Sequence, residues 1–467
     1  MSKKYQVVKG FRDILPPESK LFWLCEKLAR EIFARFGYQE ILLPTLESYE
    51  LFARSIGTDT DIVEKEMFIV QDKKGQNLAL RPEATAGVVR AYIDGLSNQG
   101  PAKLFYFGPM FRYERPQKGR YRQFWQIGAE AIGYPGPGTD AELIILLDEY
   151  FKDLSLKELD LRLNSLGCKQ CRPAYRESLV SYLKANQASL CEDCQRRLNL
   201  NPLRVLDCKN ETCKAITKNA PSPSEFLCPE CSSHFDRLRN LLSSQKVSFQ
   251  VDAQLVRGLD YYTRTVFEFQ ARTGLGSQNA VVGGGRYDDL VEELGGSPTP
   301  AIGFALGVER LTLLLQEKIH EQDLISGPDL FLIFAGEKAY QFAFKLLFRL
   351  RAIGIYAEMI LDEPSRSLRS QFKVADKVKA KAGVIIGEDE LQNQMLNLKV
   401  LETGKEMKLD MESLKKMSGI DWEEMKSHLS TPGFAFASPE YEQTLAQNQA
   451  LFKLLKIYLI QMEEQEE

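Results

Sequence analysis

No stretch of this sequence approaches the ~18–20 consecutive apolar residues that a membrane-spanning helix requires. The first residues, Met1-Ser2-Lys3-Lys4-Tyr5, have basic side chains but no apolar core behind them, so no secretory signal is expected. Internal repeats and long low-complexity segments are also missing, which argues against solenoid and fibrous architectures. Neither sign of charge dominates. A net charge of −4 excludes bulk attraction to nucleic acid, so such a partner would have to be held by local basic patches. What remains is a chain of 467 residues, 44% hydrophobic and 27% charged, as expected for a soluble globular protein of two to four domains.

Cysteine is sparse and unevenly placed. Cys25 stands alone, while the other eight of nine lie between Cys168 and Cys231. They form four close pairs: Cys168/Cys171, Cys191/Cys194, Cys208/Cys213 and Cys228/Cys231. Three are CxxC, the commonest spacing for two thiolates on one tetrahedral zinc. Disulfides are the alternative, but a chain without a secretion signal resides where thiols stay reduced. Structural Zn²⁺ is the better reading, most simply two four-cysteine sites. Chain order leaves open which pairs share a metal.

Pro16-Pro17-Glu18-Ser19 marks a turn and helix start, and Leu21, Leu24, Leu28, Ile32 and Phe36 follow at helical spacing until Gly37. A short strand, Glu40–Leu43, is expected before Pro44. Lys103–Phe107 and Phe124–Glu130 read as two strands of a hairpin with a long basic connection, and Thr139–Lys152 as a helix. The cysteine segment, 167–240, interrupts this pattern as an inserted module. Strand signals return at Val247–Val256, Val266–Gln270 and Asn279–Gly283, with a helix near Gly307–Gln316. From Asp329 strands alternate with helices (Glu337–Ala352, Ser367–Lys381), which indicates a separate small α/β domain.

Three constellations carry chemistry. Along Phe111-Arg112-Tyr113-Glu114-Arg115 and the residues up to Glu130, strand alternation puts Phe124, Gln126 and Glu130 on one face. An arginine near the turn can reach a phosphate bidentately, and an aromatic face can support a purine. A solvated charged hairpin with a buried stripe would show the same pattern. In Leu255–Thr265, Arg257, Asp260, Tyr261 and Tyr262 crowd around Gly258, which suits a small polar aromatic ligand. Ala301–Leu311 is a glycine-punctuated strand leading into a helix that carries Arg310.

Taken together, these segments resemble the histidyl-tRNA synthetases of bacterial type over roughly residues 1–420. The helix and strand ending at Pro44, Phe111–Glu130 and Ala301–Leu311 are similar to the three class II signature motifs, in order. Leu255–Tyr262 and Ala280–Tyr287 are similar to the two histidine-specific segments, and Arg81-Pro82-Glu83-Ala84-Thr85 to the amino-acid loop. The resemblance implies an α+β catalytic domain with an antiparallel sheet (1–325), a Cys-rich inserted tRNA-acceptor-arm domain (167–240) and an α/β anticodon-binding domain (328–418). A C-terminal extension (419–467) has no counterpart. It implies an ATP-dependent ligase that activates L-histidine to histidyl-adenylate and transfers it to tRNA(His), with Mg²⁺ on the triphosphate and a homodimeric assembly.

Roles follow by position. Glu83, Thr85 and Gln126 match groups that receive the α-amino group. Glu130 and Tyr262, with Tyr261 beside it, match those that grip the imidazole. Arg112 and Arg257 match the catalytic arginines, which also meet the histidine carboxylate. Arg112, Arg120, Phe124 and Arg310 match the ATP site. Gln117 and Arg122 in the hairpin connection, and Arg369 and Lys373 on a basic helix of the last domain, are assigned to tRNA. Because the family holds the acceptor arm on the insertion, metal loss is expected to weaken charging more than adenylation. Two competing readings remain at this point: a histidine-sensing, synthetase-like regulatory subunit of histidine biosynthesis that charges no tRNA, and a class II enzyme for another amino acid.

Overall fold

The computed structural model describes residues 5–57, 60, 62–117, 119–257, 259–276, 279–319, 327–352 and 354–410. The expected C-terminal extension, Lys118 and Gly258 lie outside the described residues. The chain divides into two compact units, Met1–Glu321 and Gln322–Glu467.

The first unit opens with α1 (Glu18–Arg35), whose Leu21, Phe22, Cys25, Ala29, Ile32 and Phe33 form one buried stripe at three- and four-residue spacing. There follow β1 (Gln39–Glu40), β2 (Leu46–Ser48), α2 (Tyr49–Ile56), β3 (Phe68–Gln71), β4 (Asn77–Leu80), α3 (Thr85–Gly95), β5 (Ala102–Phe111), β6 (Gln123–Ile132), α4 (Pro137–Asp153) and β7 (Leu159–Ser165). The cysteine segment contributes α5 (Arg172–Ala185), α6 (Glu192–Leu200), α7 (Glu211–Thr217) and α8 (Pro229–Ser244). The unit ends with β8 (Gln250–Val251), β9 (Thr263–Ala271), β10 (Ala280–Arg286), α9 (Leu290–Glu293), β11 (Ala301–Gly307) and α10 (Val308–Gln316).

Eight strands form one sheet in the order β1-β5-β6-β11-β10-β9-β7-β8. Every interior pairing is antiparallel, and the short edge strands β1 and β8 run parallel to their neighbours. Strands β2, β4 and β3 make a separate antiparallel sheet. Register decides which side chains meet. Phe105, Ala129 and Phe304 are aligned across three strands, and Phe33 of α1 packs edge-on against both phenylalanines. Their strand neighbours Leu104, Glu130 and Gly303 therefore share the opposite face, which carries the site.

The thiol-rich helices are not a satellite with a core of their own. Leu179, Leu183, Leu198 and Val205 belong to the same buried cluster as Val266, Tyr287 and Leu290 of the sheet body. A polar knot joins the two parts. Asp140 of α4 accepts from Arg286 (2.5 Å) and Thr265 (2.7 Å) and meets His234 of α8 at 2.8 Å, all buried. Burial alone would raise the Asp140 carboxyl, but His234 and Arg286 overcome that and hold it below its usual range.

Two strand expectations fail for a local reason. Pairing from Gln39 stops after Glu40; the Leu43 and Pro44 carbonyls instead accept from the Arg81 guanidinium, and Leu42 is 82% exposed. Within Val247–Val256 only Gln250–Val251 is a strand. The Asp252 carboxylate accepts from the Gln254 amide (3.0 Å) and turns the chain out of the ladder.

The second unit is a five-stranded mixed sheet. Its strands β12 (Leu330–Phe334), β13 (Ala357–Met359), β14 (Ala382–Ile386), β15 (Met395–Val400) and β16 (Glu406–Asp410) lie in the order β13-β12-β14-β15-β16. The basic helix Leu368–Lys377 is anchored by buried Gln371, whose amide donates to the Phe334 carbonyl (2.8 Å) and accepts from its N–H (3.1 Å). Arg369 and Lys373 on that helix are exposed.

Candidate active site

A cavity of about 840 Å³ opens on the free face of the large sheet. From β6 it receives Phe124, Gln126 and Glu130, three members of one alternating strand face. Glu130 forms the floor and is fully buried. Its two oxygens accept from the Thr85 hydroxyl at 2.7 Å and the Tyr287 hydroxyl at 2.5 Å. Burial pushes the carboxyl up to about 8, with the two hydroxyls pulling the other way and nearby Glu83 adding to the rise. Tyr261 and Tyr262 stand beside it with ring centroids 4.8 Å apart, and Tyr287 meets Tyr261 edge-on.

Two glycines make this floor possible. Gly303 is the cross-strand partner of Glu130, and a Cβ there would collide with the carboxylate. Gly283 pairs with Glu268, and a Cβ there would occupy the place of the Arg257 guanidinium. Arg257 lies across that gap in an ion pair with Glu268, which also accepts from Gln270 at 2.8 Å.

Above the floor, arginines converge. Arg112 donates to the Pro82 carbonyl (2.9 Å) and lies 5.3 Å from the Phe124 ring centroid. Arg120 pairs with Glu114 at 2.7 Å, and Arg310 of α10 donates to the Ala280 carbonyl. Burial, with the like charges of Arg120 and Arg112, brings Arg310 down to about 10. Burial disfavours the charged Arg310, and an anion brought beside it would favour that charge again. Glu83 caps α3, its oxygens accepting from the Thr85 and Ala86 amides at 2.7 and 2.9 Å. The remaining wall comes from the thiol-rich segment, through Leu206–Lys209, Lys214 and Lys218.

The family profile described as histidyl-tRNA synthetase matches residues 10–311, and that of an anticodon-binding domain matches 329–417. The chain belongs to the histidyl-tRNA synthetase family. Among the relatives, a protein of Desulfatibacillum aliphaticivorans named histidine–tRNA ligase is 48% identical over 88% of this chain and 97% of its own. A namesake from Desulfosudis oleivorans is 50% identical over 85% of this chain and 94% of its own. Of the solved structures, apo histidyl-tRNA synthetase of S. aureus superposes with a TM-score of 0.72 at 36% identity, covering 88% of this chain and 98% of that one.

Of the residues singled out from the sequence of this family member, Glu83, Thr85, Arg112, Arg120, Phe124, Gln126, Glu130, Arg257, Tyr261, Tyr262 and Arg310 all line the one cavity. Gln117 and Arg122 do not. Gln117 closes the hairpin turn against Arg120, and the Arg122 guanidinium lies 3.6 Å over the Tyr113 ring. Tyr287 and Glu268 were missed. Both reach the site through cross-strand register, which a linear motif does not display.

The eight thiols fall into two groups that could each hold a metal ion: Cys168, Cys171, Cys228 and Cys231, and nested inside them Cys191, Cys194, Cys208 and Cys213. In each group the four sulfurs lie within 4.8 Å of one another. Sγ separations are 3.7 Å (Cys168–Cys171) and 4.0 Å (Cys168–Cys228) in the outer group and 3.8 Å (Cys191–Cys208) in the inner one. The Cys191 and Cys228 amides donate to the Cys213 and Cys171 sulfurs, at 3.3 and 3.1 Å.

The raised carboxyl of Glu130 has a sign. A carboxyl whose folded value lies above its ordinary 4.5 costs stability as the pH climbs from there to about 8. Glu130→Gln should therefore leave the melting temperature of the ligand-free protein at pH 8 unchanged or higher. Because the amide cannot supply a charge-assisted acceptor, kcat/KM for histidine should fall about 10–100-fold. Melting curves and histidine-dependent ATP–pyrophosphate exchange check both halves; a variant that melts lower and still uses histidine normally would contradict them.

Proposed function

We infer that this chain is a histidine–tRNA ligase: it activates L-histidine with ATP, releases pyrophosphate and transfers the histidyl group to the 3′ end of tRNA(His). One observation carries the reading. A single cavity joins a buried polar floor at Glu130 to four arginines able to hold a triphosphate.

In this reading the imidazole lies between Glu130 and Tyr262, with Tyr261 alongside. A neutral imidazole offers one donor and one acceptor, so a carboxylate on one side and a hydroxyl on the other match it, while an apolar ring would leave both unpaired. Glu83, Thr85 and Gln126 take the ammonium. The histidine carboxylate is directed between Arg257 and Arg112, and its oxygen attacks the α-phosphorus as the bond to pyrophosphate breaks. Arg112 and Arg257 stabilise the charge that accumulates there, Arg120 and Arg310 hold the outer phosphates, and Phe124 supports adenine. No side chain acts as nucleophile. Glu114 and Glu268 line the same cavity and are among the oxygen donors that could hold Mg²⁺, which when bound would neutralise triphosphate charge. The terminal ribose hydroxyl of tRNA then attacks the carbonyl carbon and AMP departs.

The regulatory-subunit alternative predicts no need for an anticodon-binding domain, and residues 329–417 match one. Exposed Arg369 and Lys373 are assigned there to tRNA phosphates, with Gln117 and Arg122 meeting the acceptor end. The assembly is a homodimer built on the Leu42 region and the β2–β4–β3 sheet, where Leu42, Leu46, Ile69 and Val70 are each exposed. The enzyme works in the cytoplasm, where its thiols stay reduced.

Zinc fits the thiols. Tetrahedral Zn–S bonds of about 2.3 Å demand sulfurs about 3.8 Å apart, close to the observed 3.7–4.0 Å. Both sites would be structural, since four protein ligands leave no open position. Elemental analysis of chain purified without chelator should find two zinc ions per chain; none, with eight titratable thiols and intact charging, would contradict this.

Arg257→Ala should lower the rate of histidine-dependent ATP–pyrophosphate exchange about 10²–10³-fold, because its contact is with charge developed in the transition state. Histidine binding by calorimetry should remain measurable. Exchange within severalfold of the parent would remove Arg257 from the catalytic role.

A further inference from the structure

The chain from Asp252 to Tyr262, which presents Arg257, Tyr261 and Tyr262 to the cavity, is only partly supported by the sheet. From that side Asn164 of β7 donates to the Ala253 and Leu255 carbonyls, at 3.3 and 3.0 Å. Leu255, Val256, Tyr261 and Tyr262 pack into the main buried cluster, and beside them lies a second cavity of about 270 Å³, whose lining includes Tyr175, Asn201, Arg204, Asp260 and Tyr262. Polar ties from the thiol-rich segment reach the Asp252–Tyr262 chain. Asn201 donates to the Asp260 carboxylate at 2.8 Å, Arg204 stands 3.7 Å from the same oxygen, and Gln254 donates to the Thr217 carbonyl at 3.1 Å.

These ties share an origin. Asn201 and Arg204 lie between Cys194 and Cys208, and Thr217 ends the helix that carries Cys213. All three therefore hang on the inner four-thiol group, Cys191, Cys194, Cys208 and Cys213. The Cys194–Cys208 segment is anchored by Leu198 and Val205 in the main buried cluster, and fixing its thiols further limits the conformations open to Asn201 and Arg204, while ordering the histidine loop costs entropy that must be met by rigid partners.

We propose that Asp260 is a positioning residue for histidine activation, tying the Arg257–Tyr262 loop through Asn201 and Arg204 to the inner four-thiol site, so that metal held there sets the affinity for histidine. The metal half rests on the zinc reading above. It reverses the expectation, drawn from the sequence, that metal loss weighs on tRNA charging more than on adenylation: the inner site supports the amino-acid site directly.

The test uses the full chain, with metal content measured for every sample. Histidine and ATP are varied separately in pyrophosphate exchange, and histidine binding is measured by calorimetry. Asp260→Ala should raise KM and Kd for histidine about fivefold or more while KM for ATP stays within about twofold. Asp260→Asn, which keeps an oxygen for Asn201, should recover most of the loss. Stripping metal from the parent should reproduce the histidine-specific rise, and stripping Asp260→Ala should add little further. An unchanged histidine Kd in Asp260→Ala, or equal losses for histidine and ATP, overturns the positioning role. A rise in Asp260→Ala that stripping the parent fails to reproduce overturns the coupling to the inner site. Parent protein without metal overturns the zinc reading and the metal half together, and the Asp260 variants then decide the positioning half alone.

Discussion

A carboxylate buried in the middle of a β-sheet, with hydroxyls for partners, is the constraint on which this site depends. Glu130 has no solvent exposure, and the Thr85 and Tyr287 hydroxyls alone do not make burial of a charge favourable. Its carboxyl is therefore pushed up toward neutrality until a ligand brings a proton donor. Around that group everything else is arranged. Gly303 clears the sheet for it, α3 delivers Thr85, and the end of β10 delivers Tyr287. In the proposed reading, this energetically awkward group is kept because recognition of a two-headed ring requires it.

The same device serves the phosphate end of the cavity. Gly283 clears a place for the Arg257 guanidinium, and Glu268 neutralises it while no substrate is present. The cations assigned to the triphosphate under the proposed function are thus held against local acceptors: Glu268 for Arg257, Glu114 for Arg120, and the Ala280 carbonyl for Arg310. Substrate then exchanges partners instead of ordering mobile side chains, which is where electrostatic preorganisation gains its effect. The sheet provides rigid positions, and the chain bearing Arg257 and Tyr262 is tied in addition to the thiol-rich segment through Asn201 and Asp260.

Strand alternation was enough to place Phe124, Gln126 and Glu130 on one face, and the β5–β6 hairpin follows that reading closely. The α/β alternation after Asp329 likewise anticipated the second unit, although β15 and β16 went unexpected. What could not be read was non-local. Tyr287 and Glu268 reach the cavity through pairing between distant strands, and the nested arrangement of four cysteine pairs is one of several that chain order permits. The strand expected over Val247–Val256 fails because one aspartate, Asp252, turns the chain with its own side chain, and alternation of apolar residues is blind to that competition. The roles of the arginines came from family resemblance; their spacing alone fits a solvated hairpin equally well.

The central claim is that a polar floor built on Glu130 selects the imidazole. The most direct measurement compares ATP–pyrophosphate exchange by the unmodified protein with L-histidine and with β-thienylalanine, whose ring has similar size but no nitrogen. Unpaired buried polar groups should make exchange with the thienyl analogue lower by about a thousandfold or more in kcat/KM. Comparable exchange with the two amino acids would show that the pocket reads ring shape alone, and would contradict the account.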